Sequence, residues 1–484
     1  QGKKAAGIAL GAIVILVGGF FAVRGTQFVA QSPVLSRFAS ISLNDTKTQA
    51  RAFIWPMAWK GFLADPILGS GQENFNYIFN ANYNPAMYHH EQWFDRAHNV
   101  ALDWLTAGGA LGLLSYLSLF AAALYLLWKR AVDMPFSERA LFTGLLAAYF
   151  FHNLFVFDNL VSYVLFVSVL GYIHFKSTKL TVPALRDAEE MDESDTRMAG
   201  PVVLVALIFV VYFINWRGYE TNAALIDGLR AISVVPVQAD AALTAFTKAV
   251  SYDTLGRAEV VERLVDAVGP MNGASVPIET RQKFFDLAQT AIERQVARVP
   301  DDARYRVFAG SFYGMYGAGP ESEKELSEAV RLSPTKQSIM YQLGTLYLAE
   351  KRYDESAAIY KKAYDLFPGN DDAARFYAVA LVTAGKEAEA KAFLKERFGS
   401  DALTDDAFIQ AFATRGDWAR VITALRTRIA ADPKNMTDRQ NLAAAYIQAG
   451  DKAGAVAAIR EMIALDPTFK AQGEAYIQAI QQGK

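Results

Sequence analysis

Asp95-Arg96-Ala97-His98-Asn99 sets a carboxyl, a guanidinium, an imidazole and an amide directly ahead of a long apolar run. Such a group can move a proton and hold an anion. With Asp95 as N-cap, His98 falls in the first turn of the following helix. The positive end of the helix dipole then disfavours imidazolium and keeps His98 able to accept a proton, an effect that Asp95 or Asp103 would offset. The competing reading is a structural histidine at a membrane boundary. His89 and His90 add imidazoles nearby, but no H-E-x-x-H pattern places two on one helix face, so no metal is expected.

Three further stretches carry groups of interest. Gln49–Ala64 mixes Phe53, Trp55, Met57, Trp59 and Phe62 with Arg51 and Lys60, the composition of a helix lying at headgroup level. Arg51 and Trp55 are spaced i,i+4 and share a face; a plain interfacial anchor explains the same composition. Asp65-Pro66-Ile67-Leu68-Gly69-Ser70-Gly71 is a turn whose glycines allow tight bending, and a weak pattern for a phosphate cradle. His152-Asn153 and Asp158-Asn159 interrupt the apolar stretch Ala140–Tyr172. At that depth polar groups face protein or water, where they would line a cavity or cap the turn.

The elements that must position these groups follow from composition. The 484 residues are 52% apolar and 13% aromatic, with a net charge of -2 and no cysteine. Near-neutrality argues against a general nucleic-acid binder, and the missing thiols exclude disulfides and zinc-thiolate sites. Apolar residues concentrate before residue 217. A spanning helix needs about 20 of them, which predicts spans near 6–23, 100–128, 140–156, 159–175 and 201–216 in a membrane domain of residues 1–217. Lys3 and Lys4 also fit the n-region of a signal peptide, but Gly25–Gln31 lacks a small-x-small cleavage site, and the chain reads as the C-terminal part of a longer membrane protein. Basic residues gather at Lys3–Lys4, at Lys129, Arg130 and Arg139, and at Lys176, Lys179, Arg186 and Arg197. Five spans put all three groups on one side, the cytoplasmic one. The loop 24–99 and everything after Trp216 then face outward, on the periplasmic or extracellular side of the cytoplasmic (inner) membrane.

Beyond the last span, prolines recur at Pro300, Pro334 and Pro368, and again at Pro433 and Pro467. A 34-residue period is the signature of tetratricopeptide repeats, helical hairpins that bury their faces against their neighbours. Leu343-Gly344, Tyr347, Tyr360, Ala363 and Pro368 mark the clearest unit; Leu442, Tyr446, Gly450, Ile459 and Pro467 repeat it. The expected fold is therefore all-α: polytopic membrane helices, then an α-solenoid over 301–484, with degenerate repeats over 218–300.

Read together, Arg51 and Trp55, Pro66 with Gly69-x-Gly71, Asn74-Phe75, Asp95-x-Ala97-His98-Asn99, Gly108-Gly109 with Gly112, and His152-Asn153-x-Phe155 resemble the O-antigen ligase/polymerase family in order and spacing. Members with C-terminal tetratricopeptide repeats are familiar. The resemblance implies a GT-C-type, metal-independent, inverting glycosyltransferase without cofactor. It would take a glycan from undecaprenyl diphosphate at the outer face of the membrane and pass it to a glycan, lipid or protein acceptor. On that reading His98 is the base or orients the acceptor, and Arg51 pairs bidentately with phosphate. Arg96, Lys60, Trp55, Asn99, His152 and Asp158 are candidates for substrate binding. Family members have about a dozen spans, more than the five read here. The repeats would recruit the acceptor or a protein partner. The rival readings are a non-catalytic, membrane-tethered repeat scaffold for envelope assembly and a transporter. Spans nearly free of charge argue against the transporter.

Overall fold

A computed structural model describes residues 11, 15, 18–32, 35–39, 50–131, 133–177, 193–273 and 275–482. Among them every regular element is helical. The expected first span and Lys3, Lys4, Lys179 and Arg186 fall largely or wholly outside the described residues. The chain divides into two compact units, residues 1–56 and 57–484. The first holds the short helices Gln27–Gln31 and Leu35–Ala39 and the opening of α1 (Arg51–Ala64), which carries Pro56 in its interior.

The second unit begins with the rest of α1, α2 (Phe75–Ala81), α3 (Val100–Tyr125), α4 (Phe136–Asn153) and α5 (Leu160–Ser177). Three described stretches are long and apolar enough to cross a membrane: Val100–Arg130, Leu160–Ser177 and Ala199–Ser233. The helix over the expected 140–156 span, α4, carries Glu138 and Arg139 in its first turn and is not among them. Helices α3, α4 and α5 pack through a column of rings: Phe120 stacks on Phe166 at 5.0 Å between centroids, and Tyr149 on Phe166 at 4.9 Å. Stacked and edge-on rings of this kind add dispersion and quadrupole attraction where no water competes.

The last apolar stretch does not stop at a loop. α6 (Glu193–Val210) passes through a π-helical stretch, Val211–Trp216, straight into α7 (Arg217–Ser233). α7 then pairs with Ala239–Tyr252, where a Cβ on Gly228 would come within 3.0 Å of the Phe246 ring. From Ala303 on, hairpins follow whose first helices open at Ala303, Gln337 and Asp371, 34 residues apart. In two of them the same hydrogen bond recurs 34 residues apart: Ser322 Oγ donates to Gly310 O (2.7 Å) and Ser356 Oγ to Gly344 O (2.9 Å). The glycine is required at that crossing, since a Cβ on Gly344 would sit 2.7 Å from the Tyr360 ring.

Candidate active site

α3 is broken at Gly109, whose φ of 62° and ψ of -160° belong to a region open to glycine alone. A break leaves carbonyls and amides without helical partners, a cost that hydrocarbon does not relieve. The turn 66–71 supplies them. Ser70 and Gly71 donate to Thr106 O (2.8 Å) and Ala107 O (3.0 Å), while Ala110 and Leu111 donate back to Pro66 O (2.8 Å) and Ile67 O (3.4 Å). Gly69 and Gly109 let the two backbones touch: a Cβ on Gly69 would lie 2.6 Å from Gly109 N. The glycine turn is therefore a plug in a helix. Its Ser70 and Gly71 amides are spent on α3, in keeping with the weakness of the pattern as a phosphate cradle.

The start of α3 also differs from expectation. Its N-cap is Asn99, whose Oδ1 accepts from Ala101 N (3.0 Å) and Leu102 N (3.1 Å). Asp95 is exposed and caps nothing there. His98 consequently lies before the helix, in left-handed backbone at φ 55°, and not in its first turn. Asp95 and Asn99 both qualify as caps by residue type, and the one nearer the apolar run takes the helix end. Asp103 reaches back from the first turn to accept the Ala97 amide (2.7 Å), locking the residue before His98. Left-handed backbone at a non-glycine residue persists only where neighbours hold it. Here the Asp103 carboxylate and the Asn99 cap do so on either side.

The imidazole stands edge-on between two rings, 5.6 Å from Phe94 and 5.0 Å from Phe157, with Nδ1 3.2 Å from Arg96 O. Arg96 packs its guanidinium over the same Phe157 ring (5.4 Å) and forms an ion pair with Glu73. Glu73, itself in left-handed backbone at φ 61°, and the two phenylalanines carry no motif in the sequence; only the fold brings them to His98. Next to Phe157, Asp158 is buried. Its Oδ1 accepts from Asn153 Nδ2 (2.8 Å), Ser162 Oγ (3.2 Å) and the Tyr149 hydroxyl. Its Oδ2 has no hydrogen-bond partner among the described residues. His152 points outward, exposed, with only a long 3.4 Å approach to Asn153 Oδ1.

His98, Arg96 and Asn99 thus come together, and Phe157 brings the Asp158 turn beside them. Asn99 has its side-chain oxygen committed to the cap. Lys60 is exposed on α1. Arg51 and Trp55 belong to the first unit, where Arg51 Nε is buried with no hydrogen-bond partner among the described residues. Among the described residues no cluster of three or more metal-ligating side chains occurs.

Residues 2–117 match the model of the O-antigen ligase family, and residues 347–402 match a tetratricopeptide-repeat model. No curated protein matches the chain. Among solved structures, a tetratricopeptide repeat protein from Parabacteroides merdae is 10% identical with a TM-score of 0.36, over 54% of this chain and 99% of that one. MamA is 18% identical (TM-score 0.28; 41% and 96%). YrrB, described as a tetratricopeptide-repeat protein with an unusual peptide-binding site, is 16% identical (TM-score 0.25; 37% and 93%). The ligase match runs through the glycine turn and His98 into α3, so the chain carries an O-antigen ligase domain over residues 2–117 and a tetratricopeptide repeat over 347–402, with helices between and beside them long and apolar enough to cross a membrane.

Proposed function

We propose that the chain is a glycosyltransferase of the O-antigen ligase/polymerase type, working at the outer face of the inner membrane on a glycan carried by undecaprenyl diphosphate. The observation that carries this reading is His98: an imidazole in strained backbone, at the mouth of a membrane helix, between two rings and beside an arginine. In the proposed step the acceptor hydroxyl oxygen attacks the anomeric carbon as His98 takes its proton. The bond from that carbon to the diphosphate oxygen breaks, and undecaprenyl diphosphate leaves with the electron pair. Diphosphate is a good leaving group, so no metal is required if cations meet its charge. Arg51 has that role in the proposal, with a fork that matches phosphate oxygens bidentately. Arg96, whose charge is shared with Glu73, serves second, and Lys60 and Trp55 lie on the same helix as Arg51. Asp158 and His152 are proposed to line the acceptor side. The repeats are the scaffold part of the same chain, recruiting an acceptor or a protein partner.

In-cell glycan transfer by the full-length protein tests this at matched membrane abundance. Loss of a general base costs on the order of 10²–10⁴-fold, so His98→Ala is expected to abolish measurable transfer and to accumulate undecaprenyl-linked glycan. Arg51→Ala is expected to do the same, and Arg51→Lys to recover only part. Unchanged glycan output in both alanine variants would make the loop structural and the tethered scaffold the better account. Full transfer by Arg51→Lys would remove the bidentate pairing.

A further inference from the structure

The repeat solenoid is held against the loop that carries His98, and one residue of the solenoid breaks its own pattern to do it. Three successive repeats open their first helices after an equivalent position, each 34 residues on from the last. Asp302 and Asn370 occupy that position and cap their helices in the ordinary way, Asp302 accepting from Arg304 N (2.8 Å) and Asn370 from Asp372 N (2.9 Å). Between them the same position is Lys336, which makes no cap. A lysine there has no acceptor to offer and sets a cation at the positive end of a helix, so local structure disfavours it.

Lys336 is instead fully buried, and what buries it is the outward loop. Its Nζ stands 3.2 Å from the centroid of the Trp93 ring and 5.3 Å from those of Phe79 and Tyr83. It donates to Gln92 O and to Asn80 Oδ1 (3.3 Å). Ring faces and carbonyl oxygens are the surroundings that a cation or an amine donor seeks. Neighbouring solenoid residues complete the contact: Ser333 Oγ donates to Asn80 O (2.8 Å), Thr335 Oγ1 to Tyr83 O (2.5 Å) and Ser338 Oγ to Gln92 Oε1 (3.0 Å). On the far side, Phe79 packs on Phe94 at 5.3 Å, and Phe94 is the ring edge-on to His98. A run of side-chain contacts therefore joins the solenoid to the imidazole, from Lys336 through Phe79 to Phe94, and the Trp93 ring is bonded to the same backbone one residue before Phe94.

We infer that Lys336 is a positioning residue for His98: docked in the ring cage of the loop, it holds Phe94, and through Phe94 the imidazole, so that the repeat solenoid completes the site. The inference rests on the glycosyltransferase reading above, and adds to it a site that the membrane helices do not build alone.

The test uses the full chain in membranes, with Lys336→Met, which removes the amine and keeps the length, and Trp93→Leu from the other side of the contact. Amide protection of residues 75–94 is read without substrate; transfer from the host's lipid-linked glycan is read against pH. Both variants are expected to lose loop protection, to fall at least tenfold in transfer, and to shift the acid limb of the pH profile, which reports the base. The double variant is expected to fall no further than either single one, because both remove one contact. Unchanged protection, or a fall that is the same at every pH, would overturn the positioning role even if the solenoid were destabilised. Absence of transfer by the wild-type chain would overturn the glycosyltransferase reading itself, and the role with it, and the wild-type control separates that case from the others.

Discussion

Among the described residues the Lys336 amine has no carboxylate within hydrogen-bonding distance. Burial pushes its pKa from 10.5 down to about 6, Arg304 pushes the same way, and Asp302 pulls against them. Released into water the amine regains its ordinary value. Undocking therefore takes up a proton anywhere between about pH 6 and pH 10, and stability of the docked form rises with pH wherever the undocked form binds more protons. The sign follows: docking strengthens from pH 6 upward, by at most about tenfold per pH unit, and levels off below 6 where both forms are protonated. The protection factor of amides in 75–94 is expected to climb between pH 7 and pH 9 in the wild type and to stay flat in Lys336→Met. A flat wild-type profile would mean that the rings and carbonyls hold the ammonium form. The sequence does not tell what this lysine meets, because its partners Gln92 and Asn80 lie 244 and 256 residues away. A lysine where Asp302 and Asn370 stand was the available signal.

Elements read differently according to how local their causes are. The hairpins of the solenoid are legible because Pro300, Pro334 and Pro368 end helices, and because Gly344 must be small where Tyr360 crosses; both causes lie within one repeat. The apolar run of α3 is legible for the same reason, its break at Gly109 is not. Three glycines at 108, 109 and 112 fit close helix packing equally well, and only the turn 66–71, more than thirty residues earlier, decides that one of them opens the helix. The cap at Asn99 was similarly hidden behind Asp95. The break yields its own prediction. Alanine at Gly109 would place a Cβ 2.3 Å from Ile67 O in backbone that non-glycine residues avoid. The strain alone costs on the order of 1–3 kcal/mol, and the clash is with backbone, which cannot rotate away. Gly109→Ala is expected to expel the turn, seen as lost amide protection at Ser70 and Gly71 and a lower melting temperature in detergent. Gly144, with open space around it in α4, is the control, and Gly144→Ala should change neither. Equal protection in both variants would show that the turn is not seated by the glycine.

At the scale of the molecule, the two proposals give the solenoid separable tasks in different repeats. The docking edge is built from Asp302, which accepts from Asn76 Nδ2 (2.8 Å), from Ser333 to Ser338, and from Phe367, whose ring lies 5.8 Å from Tyr88. Among the described residues no hydrogen bond or ring contact of the loop reaches beyond Gly369, where Tyr88 makes a long 3.5 Å approach. Repeats stabilise mainly their immediate neighbours, so removing residues 401–484 leaves the docking edge standing. That truncation is expected to keep loop protection and to lose transfer only as far as the distal repeats recruit an acceptor or partner. Removing residues 219–484 is different in kind: it strips the cage from Phe79, Tyr83 and Trp93, and leaves three rings facing water with no surface to bury them. Transfer is then expected to fall at least tenfold at matched membrane abundance, and to fall for any acceptor, because the loss lies at His98 and not at recruitment. The two truncations compared on two acceptors decide the matter. A loss that depends on the acceptor in both would place the solenoid in recruitment alone. Undiminished transfer by the 219–484 deletion would show that the membrane helices hold His98 without the repeats.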